Sequence, residues 1–137
     1  MFIFDRTQKQ IGTIYSFFPN QVQVLQPGVA YDVFIFAGHV RQPFTLKVML
    51  PGTFPDVAPI ITVSPPVNHR WVSHDMRIVG HENLAVWHRN YALGKILKDI
   101  EIEFGLRPPS VISSRMNRSA SIDGRKLIKF EEVDSMR

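Results

Sequence analysis

Histidine is the side chain best suited to moving a proton near neutral pH or to holding a transition metal. This sequence has five: His39, His69, His74, His81 and His88. No two stand three or four residues apart, the spacing that aligns two ligands on one helix face, and the 137 residues contain no cysteine. Neither a metal site nor a cofactor is therefore expected. The missing thiol removes disulfides, thiolate ligands and a cysteine nucleophile together. No Gly-x-Ser-x-Gly elbow is present, and Gly94-Lys95 lacks the upstream glycine of a phosphate loop. The histidines are expected to be satisfied locally, at the surface or in loops, with His69 bonded to the backbone of its own loop. Nothing in their spacing marks a pH-sensing cluster.

Two further residue types could carry recognition. Trp71 and Trp87 lie in an irregular stretch. Both are expected to be partly buried and to staple that stretch to the sheet or the last helix. The other reading makes one of them an exposed partner anchor, since tryptophan is enriched at interface hot spots. In Arg115-Met116-Asn117-Arg118-Ser119-Ala120-Ser121, an arginine three residues before a serine suits basophilic kinases, so Ser119 and Ser121 are candidate phosphosites.

These residues need a scaffold, and composition limits what it is. The length suits one core, and 45% hydrophobic with 20% charged residues is an ordinary globular balance. No apolar run approaches the ~20 residues of a membrane span. The start, Met1-Phe2-Ile3-Phe4-Asp5, lacks the basic and apolar regions of a signal peptide, so a cytoplasmic location is the default. The formal charge is +4, of which +3 falls from Arg107 onward. The basicity thus belongs mostly to the tail, and a nucleic-acid partner is not expected.

Periodicity predicts the elements. Asp5 to Phe17 reads as a short helix capped by Asp5, with Ile11, Ile14, Tyr15 and Phe18 as its apolar stripe. Strands are predicted at Gln21–Val24, Val29–Phe36, Phe44–Leu50 and Ile60–Val63, with turns at Gln26-Pro27-Gly28 and Ala37-Gly38-His39. Together they make an antiparallel meander. Prolines 51, 55, 59, 65 and 66 bound the fourth strand. From Val67 to Asn90 a long structured loop is expected, with an extended piece at Met76 to Val79. A final helix is predicted over Tyr91 to Phe104, capped by Asn90 and ended by Gly105. Its buried stripe is Leu93, Ile96, Leu97, Ile100 and Phe104, and Lys95–Asp99 forms an i,i+4 pair. The domain is expected to occupy residues 1–109. Residues 110–137 read as a basic disordered tail, with a transient helical turn at Lys126 to Phe130. The fold class is α+β: a four-stranded antiparallel meander with a short N-terminal and a C-terminal helix.

That order, together with Leu50-Pro51-Gly52-Thr53-Phe54-Pro55-Asp56-Val57-Ala58-Pro59-Ile60-Ile61, resembles the ubiquitin-conjugating fold, in which an aromatic-proline pair and a further proline precede the fourth strand. Residues 44 to 109 are similar to the UEV-like (inactive ubiquitin-conjugating-enzyme variant) N-terminal domain of the vacuolar-protein-sorting subunit thirty-seven, type A, of ESCRT-I. The likeness rests on Ile60 to Pro66, Val67-Asn68-His69, Leu93-Gly94-Lys95-Ile96, Glu103-Phe104 and Pro108-Pro109. It covers about half the chain; residues 1–43 match only in pattern, and the tail does not match.

In active members of the wider family, a His-Pro-Asn is followed eight residues later by the catalytic cysteine. Laid on this sequence, those positions are His69, Arg70, Trp71 and Val79. The resemblance therefore implies a lost active site and no enzyme. It implies a non-catalytic adaptor in ESCRT-I-dependent endosomal sorting of ubiquitinated cargo into multivesicular bodies. The partners it implies are ESCRT-I subunits or ubiquitin and ubiquitinated cargo. The chain would be cytoplasmic and endosome-associated, peripheral to the late-endosome membrane through those partners. Two alternatives stay open: an inactive cofactor of ubiquitin conjugation, and an RWD-type interaction scaffold.

Overall fold

Strict alternation of apolar and polar residues makes one face of the sheet. In Phe44-Thr45-Leu46-Lys47-Val48-Met49, the first, third and fifth side chains are buried and the others are not. The computed structural model describes residues 2–37 and 43–112. They form α1 (Phe2–Phe17), β1 (Val22–Gln26), β2 (Ala30–Ile35), β3 (Phe44–Met49), β4 (Ile60–Ser64), β5 (Val67–Asn68), α2 (Glu82–Ala85), α3 (Leu93–Leu106) and β6 (Ser110–Val111). The architecture is α+β, with a four-stranded antiparallel sheet in the order β1-β2-β3-β4 and helices at both ends of the chain.

Tyr31, Val33 and Ile35 from β2 face the core beside Phe44, Leu46 and Val48 from β3 and Ile61 and Val63 from β4. Period-2 burial of this kind on one face is what a half-covered antiparallel sheet requires. The expected stripe of α3 is fully buried: Leu93, Ile96, Leu97, Ile100 and Phe104 are all at 0% exposure. Phe104 meets Phe44 edge-on, with ring centroids 5.6 Å apart. The β1–β2 turn falls at Pro27–Val29, one residue beyond the expected Gln26-Pro27-Gly28, because Gln26 ends β1. Gly28 supplies a φ of +77° there, and its amide donates to the Tyr31 hydroxyl at 2.7 Å. The second expected turn, Ala37-Gly38-His39, lies largely outside the described residues.

Several expectations need correction. Helix α1 is not short. It begins at Phe2 and has 16 residues, so Asp5 lies inside it rather than capping it. Ile11, Ile14 and Phe18 are buried, but Tyr15 is 40% exposed. The helix is rotated so that Gln10, not Tyr15, borders its apolar face. Helix α3 starts at Leu93, not Tyr91, and Asn90 does not cap it. Its first amides are capped from α1 instead: Leu93 N donates to Gln10 Oε1 at 2.9 Å and Gly94 N to Thr13 Oγ1 at 2.8 Å. Gly105 does not end it either. The ladder continues to Leu106, the Arg107 amide donates to the Glu103 carbonyl at 2.8 Å, and Pro108 then turns Arg107 out of the helix.

The long loop is more regular than its composition suggests. It contains β5 and the one-turn helix α2, and its expected extended piece lies alongside β4. There Val63 N donates to Met76 O at 3.0 Å and Ile78 N to Ile61 O at 2.8 Å. The fold also runs past the boundary expected at residue 109. Ser110 and Val111 pair with Asn68 and Val67, and Ile112 N donates to Pro66 O at 2.8 Å. The rest of the tail, including Lys126 to Phe130, Ser119 and Ser121, lies outside the described residues.

Candidate functional site

Residues 69–81 double back as a narrow loop. Met76 N donates to Ser73 O, and Met76 takes a positive φ of 66° at the tip. Val72 bridges Ile78, and the Trp71 carbonyl accepts both Val79 N at 2.8 Å and Gly80 N at 3.1 Å. Three positions that the sequence comparison singled out are thereby brought together. Val79 is hydrogen-bonded to Trp71, and the amide of Trp71 donates to His69 Nδ1 at 3.0 Å. His69 does bond its own loop, as expected. Its side chain is almost wholly buried, at 4% exposure, whereas Val79 is 47% exposed.

Gly80 makes the close packing of this loop feasible. A Cβ there would sit 2.7 Å from the Trp71 Cα, nearer than a real contact allows, so a side chain at this position would push the indole aside.

Below the loop lies a buried carboxylate that periodicity does not reveal. Glu103, on the inner side of α3, is 5% exposed. Its Oε2 accepts Arg70 Nε at 3.2 Å and Nη2 at 3.1 Å, and its Oε1 accepts Arg107 Nη1 at 2.6 Å. His69 Nε2 stands 3.6 Å from Oε2 and has no hydrogen-bond partner of its own. Burial pushes the His69 imidazole below its usual pKa, and Glu103 only partly opposes this. Arg70 thus ties the loop to α3. It has no local sequence signal, because its partner is 33 residues away.

Against the Trp71 ring sits His81, 5% exposed. Its Nδ1 accepts the Asn83 amide at 2.9 Å and so caps α2, while its Nε2 lies 2.9 Å from Asp99 Oδ2. Lys95 Nζ holds the same carboxylate at 3.0 and 3.2 Å, the i,i+4 pair expected from spacing. Trp71, Gly80, His81, Asn83, Lys95 and Asp99 line a cleft of about 350 Å³. A second concavity, of about 400 Å³, lies between α1 and the start of α3, lined by Arg6, Lys9, Gln10, Thr13 and Arg89. It includes none of His69, Trp71 and Val79.

Both tryptophans are partly buried against the core, as expected. The Trp87 indole N–H donates to the Pro55 carbonyl at 2.7 Å, and its ring packs on Phe54 and Tyr91. Trp87 is therefore a staple. Trp71 packs edge-on against His81, with ring centroids 5.4 Å apart, and also forms a wall of the cleft.

The chemistry open to this arrangement is narrow. His69 and His81 both commit Nδ1 to a backbone amide, and their Nε2 atoms face Glu103 and Asp99. Neither imidazole presents a free nitrogen to the cleft. Among the described residues no three His, Asp or Glu side chains converge as a metal site would need, and His39 lies outside those residues. No described helix is long and apolar enough to cross a membrane. No protein-family model and no curated protein matches the chain.

Proposed function

We propose that this chain is a non-catalytic UEV-like adaptor domain acting in ESCRT-I-dependent endosomal sorting of ubiquitinated cargo into multivesicular bodies. The fold identity behind the proposal is the ubiquitin-conjugating architecture. The helix, four-strand antiparallel sheet and closing helix are compatible with it.

The observation that carries the reading is the pairing of Trp71 with Val79. In the family's scheme the residue at position 71 would steady an oxyanion and the one at 79 would attack. Here their backbones are joined through a 2.8 Å hydrogen bond, so the two positions are neighbours. An indole and an isopropyl group stand where an amide donor and a thiolate are needed. An oxyanion donor supplies about 3 kcal/mol, which an indole in place of that amide does not provide. A loop that keeps its neighbours while lacking both reactive groups suits recognition.

A pull-down of ESCRT-I subunits, set against active ubiquitin-conjugating enzymes, tests the proposal. Capture of ESCRT-I subunits is expected. Capture of a conjugating enzyme instead favours the inactive conjugation cofactor. A titration of labelled ubiquitin that leaves every NMR resonance in place, with neither partner captured, favours the RWD-type scaffold.

A further inference from the structure

We propose that the segment between β5 and α3 is locked by three uncharged histidine side chains and is released by acid. In each lock, the Nδ1 atom accepts the backbone amide two residues onward. Trp71 N donates to His69 at 3.0 Å, Asn83 N to His81 at 2.9 Å, and Asn90 N to His88 at 3.1 Å. The geometry is that of an Asx turn, with an imidazole nitrogen in place of the side-chain oxygen. Among the described residues, only His74 is a histidine without it.

An acceptor at Nδ1 requires a lone pair there, so each ring must be neutral with its proton on Nε2. Protonation turns Nδ1 into a donor facing another donor. All three turns are then lost through the same chemical event, and they are spread along the whole stretch from residue 69 to residue 90.

The surroundings set how each ring responds. His69 faces Glu103 from α3 at 3.6 Å, together with the Arg70 and Arg107 guanidiniums, and is packed by the Phe104 and Trp71 rings. Glu103 attracts a His69 cation but only partly offsets the cost of burial. His81 faces Asp99, which Lys95 also holds, has Glu82 as its chain neighbour, and touches the Trp71 ring. His88 is exposed beside Tyr91, with Arg89 next in the chain and paired to Asp56 at 3.5 Å.

The direction for His69 follows from burial. Its folded-state pKa lies below the ordinary 6.5, so the unfolded chain binds the proton more readily. Its stabilising contribution is therefore present above about pH 6.5 and is lost as the pH falls through the folded value. Because Trp71 walls the 350 Å³ cleft, loss of the His69 lock alters that cleft. The inference does not depend on the adaptor reading.

The test uses the ¹⁵N-labelled chain. Long-range imidazole correlations at about pH 7.5 should place the proton of His69, His81 and His88 on Nε2. Amide exchange, corrected for its intrinsic pH dependence, should show protection of Trp71, Asn83 and Asn90 falling roughly tenfold from neutral pH into acid. In the His69→Asn, His81→Asn, His88→Asn variant, a side-chain oxygen accepts the same amides at every pH, so protection should no longer depend on acid. His88→Asn alone, at an exposed site, should remove the dependence at Asn90 only. Protons found on Nδ1, protection of all three amides that persists in acid, or acid loss that is equal in the asparagine variants would each overturn the proposal.

Discussion

A thiol introduced at position 79 would be about half exposed, because Val79 is 47% exposed, while its amide is held by the Trp71 carbonyl. Val79→Cys should therefore fold like the parent. On the adaptor reading, it should still form no useful ubiquitin thioester with activating enzyme and ATP. Trp71 supplies no side-chain amide donor, a loss of about 10²–10³ in rate, and the buried imidazoles beside it, His69 and His81, each spend Nδ1 on a backbone amide. Comparison of reducing and non-reducing gels checks this. A thiol-sensitive adduct that transfers to lysine at an ordinary enzyme's rate would show that only the sulfur was missing. Glu103 gives a second prediction. Its guanidinium partners are 60% and 55% exposed, so on losing it they can turn to water instead of remaining buried and unpaired. Glu103→Gln should cost about 1–2 kcal/mol by urea unfolding, less than the 3–5 kcal/mol of breaking a fully buried pair. Arg70→Met, which removes one exposed partner, should cost under about 1 kcal/mol. The His69 contact was legible in the sequence because it spans two residues. The Arg70–Glu103 contact was not, since no local pattern relates residues brought together only by the fold.

At the scale of elements, the contact between α1 and α3 decides how the sheet is covered. Leu97 is fully buried on α3, and Leu97→Ala should destabilise by about 2–5 kcal/mol in thermal or urea unfolding. An unchanged midpoint would mean that the wrong helix face has been assigned. Gly94 gives a sharper test, because two effects there have opposite signs. Replacing a helical glycine by alanine gains about 1 kcal/mol of intrinsic propensity. Yet a Cβ at Gly94 would run into the Thr13 carbonyl and lie 2.9 Å from the Phe17 ring, and overpacking of that kind costs about 1–3 kcal/mol. The obstacle is backbone, which cannot swing aside, so Gly94→Ala should destabilise. The stripe of α3 was legible because each of its members repeats at helical spacing. The start of α3 was not, because its caps come from Gln10 and Thr13, more than 80 residues away. The sheet was legible from alternation in β3 and β4, whereas β5, β6 and α2 are too short to carry a period.

At the scale of the whole molecule, the chain closes on itself through its last described residues. The sheet and α3 make the core, α1 covers the start of α3, and β6 returns to pair with β5 just where the Trp71 loop begins. Polar composition after Ser110 hid that return, because a two-residue strand has no periodicity to recognise. Its consequence is a test of where the folded unit ends. A chain of residues 1–112 keeps the Val67–Val111 and Asn68–Ser110 pairs and the 2.8 Å bond from Ile112 N to Pro66 O. A chain of residues 1–109 loses all of them and leaves the β5 backbone unpaired on that side. Each lost backbone bond costs about 0.5–1.5 kcal/mol net, more where the remaining group is shielded from water. Val67 is 1% exposed, so part of that shielding is present. The shorter chain should therefore unfold at a lower urea midpoint than the 1–112 chain, by a total of roughly 1–3 kcal/mol. The deficit should be accompanied by faster amide exchange at Val67 and Asn68, the entry to the Trp71 loop. Equal midpoints for the two chains would return the boundary to residue 109 and leave β6 with no share in the stability of the fold.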